Sequence, residues 1–193
     1  MLDNLNKYKI ILASGSPRRR ELLEGLGLSF TVKCIDGIDE SYPESLPAEE
    51  TALFIAKKKS EAYKGLTDSG HLIITADTVV VCNDMVLGKP SNKNEAKKML
   101  NMLSGKTHQV ITGVTLATKE KTVSFSVSTD VRFTTLDKKE IEYYVDKYRP
   151  LDKAGAYGIQ EWIGYVGVEY ISGSYYNVMG LPIQRLYQEL KKF

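Results

Sequence analysis

The most constraining feature of the sequence is an apolar run near its start that leads directly into a glycine–proline turn and a helical pattern. Residues 10–13, Ile-Ile-Leu-Ala, predict a buried strand. Gly15 permits a sharp bend, Ser16 is a favourable helix cap, and Pro17 suits the first helical position. The segment therefore predicts a strand, a tight turn and a helix, with the helix N-terminus facing the carboxyl end of the strand.

The same turn contains groups suited to binding phosphate. Unpaired N–H groups and the helix dipole favour an anion at a helix N-terminus, and Ser14, Arg18 and Arg19 add hydroxyl and guanidinium donors. The alternative is a capped connection between strand and helix whose arginines are merely solvated. Turn chemistry alone favours that alternative, whereas two hydroxyls and three successive arginines bring the two interpretations into balance.

Composition predicts one domain over residues 1–193 and argues against a nucleic-acid-binding or membrane protein. The chain is 42% hydrophobic and 26% charged, as is typical of globular proteins. Its 26 basic and 24 acidic residues leave a formal charge of +2, which favours a small anionic substrate over a nucleic-acid polymer. No apolar run is long enough for a membrane span or a secretory leader, so we expect a cytoplasmic protein without a membrane partner.

Periodicity predicts alternating strands and helices along the rest of the chain. Strands are expected at 28–34, 71–76 with an extended continuation at 79–82, 86–87, 107–117, 123–134 and 162–171. Helices are expected at about 49–64, 92–103, 137–148 and 183–190.

Acidic residues follow two of the predicted strands. Asp77 comes at the exit of a nearly continuous apolar strand, where open α/β sheets bind ligands, although an Asx turn between two strands is a common alternative. Glu40 ends an acidic loop after another strand, where a solvated residue is the simpler interpretation. Together the two carboxylates could hold a divalent cation on a polyphosphate.

Two lysines are candidates for binding phosphate. Lys89 lies in a short Gly-Lys-Pro loop whose neighbours restrict the backbone. Lys59 belongs to a run of three lysines on a predicted helix, and such a run most simply forms a solvated face. Thr112 and Gly113 could approach a ligand through their backbone, although a β-bulge explains this glycine better.

Several other reactive or aromatic residues are expected to be structural. Cys34 and Cys82 lie in separate strand-like runs without metal-ligand spacing, which predicts buried thiols in a reducing compartment. His108 is expected to be a satisfied, partly buried imidazole on a strand. Helical spacing assigns three tyrosines to packing: Tyr143, Tyr144 and Tyr148.

Seven short motifs, in this order and spread over nearly the whole chain, resemble the Maf-like nucleotide pyrophosphatases. They are SGSPRR at 14–19, the acidic loop ending at Glu40, ADT at 76–78, GKP at 88–90, SGKTHQVITG at 104–113, DKAGAYGIQ at 152–160 and GLP at 180–182. No GxxxxGK[ST] or GxGxxG motif supports another nucleotide-binding fold. The resemblance implies an α/β fold with an elongated mixed sheet, flanking helices and a central cleft.

The resemblance also implies an activity, the hydrolysis of nucleoside triphosphates to monophosphate and pyrophosphate with Mg²⁺ or Mn²⁺. Asp77 corresponds to the proton acceptor and a metal ligand, with Glu40 completing the metal site. Phosphate binding would fall to Ser14, Arg18, Arg19, Lys59 and Lys89. A homodimer is compatible with the sequence but not required by it.

Three positions resemble the dTTP- and UTP-specific branch of that family. They are Arg18, Thr78 and Gln160, where a sister branch selective for 7-methylated guanosine triphosphate has Trp, Gln and Glu. The amide of Gln160 can pair with the O4 and N3–H edge of uracil or thymine. The alternatives are a pyrophosphatase for another or modified nucleotide, and a non-catalytic nucleotide-binding regulator of septum formation.

Overall fold

The computed structural model describes residues 2–193, which form two compact units. Unit 1 comprises the residues up to Asp77, Thr112–Val127 and Gly180–Phe193. Unit 2 comprises Thr78–Ile111 and Ser128–Met179.

Within residues 2–193 seven strands form one mixed sheet, in the order β2-β1-β3-β5-β6-β7, with β4 paired to β3. Strand β1 is parallel to β2 and β3, whereas β4 is antiparallel to β3 and β7 is antiparallel to β6. The strands are β1 Lys9–Leu12, β2 Phe30–Val32, β3 His71–Cys82, β4 Met85–Leu87, β5 Thr107–Ala117, β6 Thr122–Phe133 and β7 Val168–Ser172.

Helices lie between and after these strands. They are α1 Pro17–Glu24, α2 Thr51–Glu61, α3 Lys64–Thr67, α4 Lys93–Leu103, α5 Lys138–Tyr148, α6 Trp162–Gly167, α7 Tyr175–Met179 and α8 Ile183–Leu190. Short 3₁₀ turns occur at Asp3–Leu5, Ala48–Glu50 and Ala154–Ala156. This architecture confirms the predicted α/β class with a mixed sheet and flanking helices.

The core of unit 1 follows the two-residue alternation of its strands. Leu12, Leu72 and Ile74 share a hydrophobic cluster with α1 and α8, whose contributions include Leu23 and Leu186. The intervening strand positions belong to a second cluster on the opposite face, formed by Ile11, Ala13, Tyr63 and Ile73. Odd-numbered residues of β3 in this unit therefore point away from α1 and α8.

In unit 2, the cap of α5 and the turn between β3 and β4 are formed by residues whose types favour these local structures. Asp137 begins α5 with a capping box, in which its carboxylate accepts from the Glu140 N–H and the Glu140 carboxylate accepts from the Asp137 N–H. Asn83 and Asp84 both have positive φ, as the two-residue turn between β3 and β4 requires. Helices α4 and α5 then pack against each other.

The prediction of strand structure throughout 162–171 is wrong in its first half, which forms α6. Gly164 lies so close to the Ile159 carbonyl that an ideal Cβ would be 1.7 Å from its oxygen. Only glycine permits this approach, and the apolar character of the run gave no sign of it. Helix α7 was likewise not expected from the sequence.

The prediction of two buried thiols is half correct. Cys82 is buried in β3, but Cys34 is exposed. Strand β2 is only three residues long, and it ends at Val32. Cys34 therefore lies in the acidic loop rather than in the sheet.

Candidate active site

The turn at residues 14–19 has the predicted strand–turn–helix geometry. Ser16 caps α1, because its hydroxyl accepts from the Arg19 N–H at 3.4 Å, and Pro17 is the first helical residue. The Ser14 hydroxyl accepts from the Ser16 N–H and from the Arg19 guanidinium, both at 3.3 Å. The N-terminus of α1 and two hydroxyl groups thus meet at the end of β1.

Arg19 fixes this turn to two other segments of unit 1. Its Nε donates to the Gly180 carbonyl at 2.8 Å and its Nη1 donates to the Ala76 carbonyl at 2.7 Å. Burial lowers the pKa of the Arg19 guanidinium and the charge of Asp77 raises it, but an arginine stays cationic throughout. Arg19 therefore places a fixed positive charge near Asp77.

The other two arginines of the run differ in exposure. Arg18 is half-buried, and its charge is close enough to that of Arg19 to lower the Arg19 pKa. Arg20 is exposed and pairs with Glu24 on the outside of α1 at 2.8 Å. Arg18 and Arg19 are therefore on the side of α1 that is near the turn, whereas Arg20 is on its exposed side.

Asp77 does not lie at the exit of a strand or in an Asx turn, because β3 continues through it to Cys82. That part of the sequence prediction is wrong. It is β1 that ends there, since its last residue, Leu12, pairs with Ile74, three positions before Asp77. Asp77 therefore lies beyond the carboxyl end of the parallel strand β1, at the edge where open α/β sheets bind ligands.

Lys59 joins Asp77 to the acidic loop. Its Nζ donates to Asp77 Oδ1 at 2.7 Å and lies 3.0 Å from Glu40 Oε1. The Lys59 and Asp77 side chains are each 13% exposed, whereas Glu40 is 49% exposed. The alternative of a solvated Lys59 is therefore wrong, and the three charges predicted from separate segments form one cluster.

The sequence contains a signal for the burial of Lys59. Helix α2 buries Ala52, Ile55 and Ala56, and Lys59 continues this stripe at the next helical positions. Thr75 of β3 holds this face of α2 against the sheet, because its hydroxyl donates to the Ala56 carbonyl at 2.8 Å. An apolar stripe that ends in a lysine therefore places an ammonium group on the sheet.

The neighbouring residues attach the acidic loop to α2. Lys58 Nζ donates to Asp39 Oδ2 at 2.6 Å, and this hydrogen bond holds the pKa of the Asp39 carboxyl well below its usual range. The Tyr63 hydroxyl accepts from the Ile35 N–H and donates to the Lys33 carbonyl, both at 2.8 Å. Contacts at both ends of the loop thus place Glu40 beside Lys59.

Metal binding would depend on Asp77 and Glu40. Among residues 2–193 no group of three or more His, Cys, Asp and Glu side chains could hold an ion. The two carboxylates do converge, however, since both contact the same ammonium group. They supply the hard oxygen ligands that Mg²⁺ and Mn²⁺ prefer, with room in the coordination shell for phosphate and water.

Unit 2 contains the remaining predicted residues. Thr78 follows Asp77 in β3 and is half-buried, and Lys89 is exposed in the loop after β4. The N–H of Gly155 donates to the Gly88 carbonyl at 3.1 Å, which fixes the residue before Lys89. Gly155 has a φ of 65°, and a Cβ on it would lie 2.7 Å from Val80, so only glycine suits this contact.

Gln160 is half-buried, and its side-chain oxygen lacks a hydrogen-bond donor among residues 2–193. Its Oε1 is buried and accepts no hydrogen bond from residues 2–193, whereas its backbone carbonyl accepts from the Tyr165 hydroxyl at 3.1 Å. A buried acceptor without a donor is costly, which makes it a candidate for ligand recognition.

His108 is a packing residue as predicted, but it is fully rather than partly buried, and its Nδ1 has no hydrogen-bond partner among residues 2–193. Its Nε2 lies 2.8 Å from the Tyr157 hydroxyl, and its ring packs edge-to-face on Phe133 and Tyr157. Tyr144 is buried and stacks on Tyr148, as expected of packing residues.

Gly113 has a packing role that the sequence did not indicate. A Cβ at this position would lie 2.4 Å from the backbone of Leu53, so the glycine lets α2 approach β5 closely. The sequence reasoning also overlooked Lys153 and Glu161, which form a buried ion pair at 3.1 Å. Lys153 is the second residue of the DKAGAYGIQ motif, so a cation at the start of a glycine-containing loop was the available signal.

Comparison with known proteins identifies relatives along the whole chain. A relative from Parabacteroides distasonis, named dTTP/UTP pyrophosphatase, is 61% identical over 193 residues, with both chains fully covered. A relative of the same name from Bacteroides fragilis strain NCTC 9343 is 59% identical over 192 residues, again with both chains fully covered.

The fold also has a solved counterpart. The structure of a HAM1 protein from Coxiella burnetii matches with a TM-score of 0.50 and 15% identity, covering 96% of this chain and 100% of that one. No helix within residues 2–193 is long and apolar enough to cross a bilayer. The family model described as Maf-like protein matches residues 9–193, and the chain belongs to that family.

Proposed function

We propose that this protein hydrolyses dTTP and UTP to the corresponding monophosphate and pyrophosphate in the cytoplasm. Full-length relatives at about 60% identity are named for this activity. The observation that carries the proposal is the charged cluster in unit 1. There, Lys59 bridges Asp77 and Glu40 close to the guanidinium of Arg19.

The proposed reaction is attack of water on the sugar-linked α-phosphorus. A new P–O bond forms, the bond from the α-phosphorus to the oxygen bridging to the β-phosphorus breaks, and pyrophosphate leaves. Asp77 would orient the water and accept its proton, a role that depends on a carboxylate held rigidly at hydrogen-bonding distance. Because Asp77 lies within β3 and is hydrogen-bonded to Lys59, its position is fixed by the sheet and by α2.

The positive groups would bind the triphosphate. Ser14, Arg18 and Arg19 lie at the N-terminus of α1, where backbone N–H groups and the helix dipole also favour phosphate. Lys59 is already in contact with two carboxylates, and we propose that it shares its ammonium hydrogens with a phosphate oxygen. In unit 2 we propose Lys89 as a further phosphate ligand, on a loop that Gly155 fixes.

We propose Asp77 and Glu40 as the residues that hold Mg²⁺ or Mn²⁺. One or two carboxylates with substrate phosphates form the usual protein site for Mg²⁺, so the two side chains suffice. When bound, the ion would stabilise the charge that develops on the phosphate oxygens.

Gln160 is proposed to recognise the base, together with Arg18 and Thr78. Its unpaired oxygen is an acceptor, which matches the N3–H donor of uracil and thymine. Cytosine presents an acceptor at N3 and would leave the Gln160 oxygen unpaired. Such a mismatch at a buried polar group can lower kcat/KM by orders of magnitude.

The test is a panel of nucleoside triphosphates with identification of both products. We expect kcat/KM for dTTP and UTP to exceed that for CTP, dATP, dGTP and 7-methyl-GTP. The products should be pyrophosphate and the monophosphate, and turnover should stop with a chelator and return with Mg²⁺ or Mn²⁺. Release of inorganic phosphate with a diphosphate would refute the proposed reaction.

A Gln160→Glu variant tests the base assignment in the same panel. The substitution keeps an acceptor but adds charge and removes the N–H₂ donor, so the preference for dTTP and UTP should decrease. A wild-type preference for a purine triphosphate would overturn the base assignment alone.

A further inference from the structure

A chain of hydrogen bonds and ion pairs in unit 2 surrounds Gln160. The Gly158 N–H donates to the Tyr144 hydroxyl at 3.0 Å, and that hydroxyl donates to Glu161 Oε2. Glu161 Oε1 in turn lies 3.1 Å from the ammonium of Lys153, which also donates to Asp152 Oδ1 at 2.7 Å. The chain therefore fixes the backbone two residues before Gln160 and the side chain one residue after it.

Apart from the exposed Asp152, this chain is largely shielded from solvent, which makes it sensitive to the loss of Tyr144, Glu161 or Lys153. Tyr144 is fully buried, and the Lys153 and Glu161 side chains are 9% and 20% exposed. Burial raises the pKa of the Tyr144 hydroxyl above its usual range, so the phenol stays protonated and remains a donor. A carboxylate that is only 20% exposed and has two such partners is held in one position.

The packing around Gly158 brings the chain close to the Gln160 amide. A Cβ on Gly158 would lie 3.0 Å from each of three atoms: Gln160 Nε2, Glu161 Cδ and Lys153 Cε. The nitrogen end of the amide thus lies beside the ion pair, while its oxygen is buried without a donor from residues 2–193. Tyr144, Glu161 and Lys153 are thus paired with one another, whereas the Gln160 oxygen has no donor among residues 2–193.

We propose that Tyr144, Glu161 and Lys153 are positioning residues that hold the Gln160 amide in place for the pyrimidine base, an inference that rests on the proposed function. None of the three is assigned contact with the substrate. Their effect is on selectivity, because they fix which atom of Gln160 is presented.

The test is a Tyr144→Phe variant, which removes the hydroxyl but keeps the ring in the core. Loss of its two hydrogen bonds frees Glu161 and Gly158, and we expect the ratio of kcat/KM for UTP to that for CTP to fall by about tenfold, a change worth about one hydrogen bond. The loss should lie mainly in KM, since Asp77 and the phosphate ligands are untouched. Affinity for α,β-methylene-UTP, measured by calorimetry, should weaken to the same extent.

Two control variants separate positioning from general destabilisation. Tyr143→Phe removes an exposed hydroxyl from the same helix, and Lys93→Met removes an exposed ammonium paired with Asp146. Neither should change the UTP-to-CTP ratio, whereas Glu161→Gln and Lys153→Met should lower it as Tyr144→Phe does. If Tyr144→Phe does not fold, Glu161→Gln decides the question by the same ratio.

The outcomes also distinguish this inference from the proposed function. A wild-type enzyme that does not prefer UTP to CTP refutes the assignment of Gln160 itself. A wild-type enzyme that prefers UTP, with folded Tyr144→Phe and Glu161→Gln variants that keep the wild-type ratio, refutes the positioning role. An equal loss of kcat/KM for all nucleotides in those variants would likewise refute it, because it would indicate a purely structural effect.

Discussion

At the scale of single residues, the central observation is that one buried ammonium group lies between two carboxylates. Lys59 contacts Asp77 and Glu40, so two negative charges and one positive charge occupy a small region next to Arg19. Family motifs in the sequence include Asp77, Glu40 and Arg19, whereas Lys59 lies outside them in a run of three lysines. The sequence did not indicate their contacts, because contacts between α2, β3 and a loop depend on packing that local patterns do not encode.

The first prediction concerns Asp77→Asn. Asparagine is nearly isosteric but cannot accept a proton from water, so we expect kcat to fall by roughly 10² to 10⁴ with the fold retained. Turnover of dTTP with circular dichroism of the purified variant is the measurement. The matched control is Asp84→Asn in the exposed turn between β3 and β4, where asparagine also tolerates a positive φ. Near-normal turnover in Asp77→Asn would assign this carboxylate a structural role.

At the scale of elements, the decisive contact is that of α2 with β5. Gly113 lets the backbone of Leu53 approach the strand, and this closeness brings the buried stripe of α2, with Lys59 at its end, against the sheet. The helix and the strand were each predictable from periodicity. The distance between them was not, since a strand glycine has several explanations and the sequence does not choose among them.

The second prediction follows from that contact. In Gly113→Ala the new methyl group would lie 2.4 Å from the α2 backbone, and we expect the free energy of unfolding to fall by about 3 kcal/mol, as for overpacked cores. Gly65→Ala is the control, because nothing lies within 4 Å of that site on α3. There alanine should be neutral or stabilising by up to about 1 kcal/mol. Urea unfolding curves of equal slope for both variants would measure the difference, and similar midpoints would contradict the prediction.

At the scale of the whole molecule, most of the fold could be predicted and two kinds of feature could not. Long periodic segments such as α4, α5, β5 and β6 formed where expected. The failures are α6, where a close glycine contact overrides an apolar pattern, and the continuation of β3 through Asp77. A charged residue in a strand is tolerated there because a lysine from another element pairs with it. The central cleft and the single domain stay predictions.

The third prediction concerns stability as a function of pH. Burial lowers the pKa of His108 from 6.5 to about 4, so between these values the unfolded chain binds a proton that the folded chain does not. Stability is therefore retained above pH 6.5 and lost as the pH falls toward 4, by up to about 3 kcal/mol from this residue. Unfolding of wild type and His108→Gln should be compared from pH 8 to pH 4. The variant should lose less stability on acidification, and parallel curves would disprove the assignment.

The contacts of Arg19 have a consequence for the order in which the protein becomes functional. Its guanidinium joins the turn after β1 to the Ala76 carbonyl and to the Gly180 carbonyl, a residue 161 positions later in the sequence. During synthesis the turn and α1 emerge early, but contacts over such separations form late, since the intervening chain must first be ordered. A nascent chain that has not yet reached Gly180 would have the arginine without this partner. The turn can acquire its final contacts only after almost the entire polypeptide has been made, and the phosphate binding that we propose for it would be delayed until then.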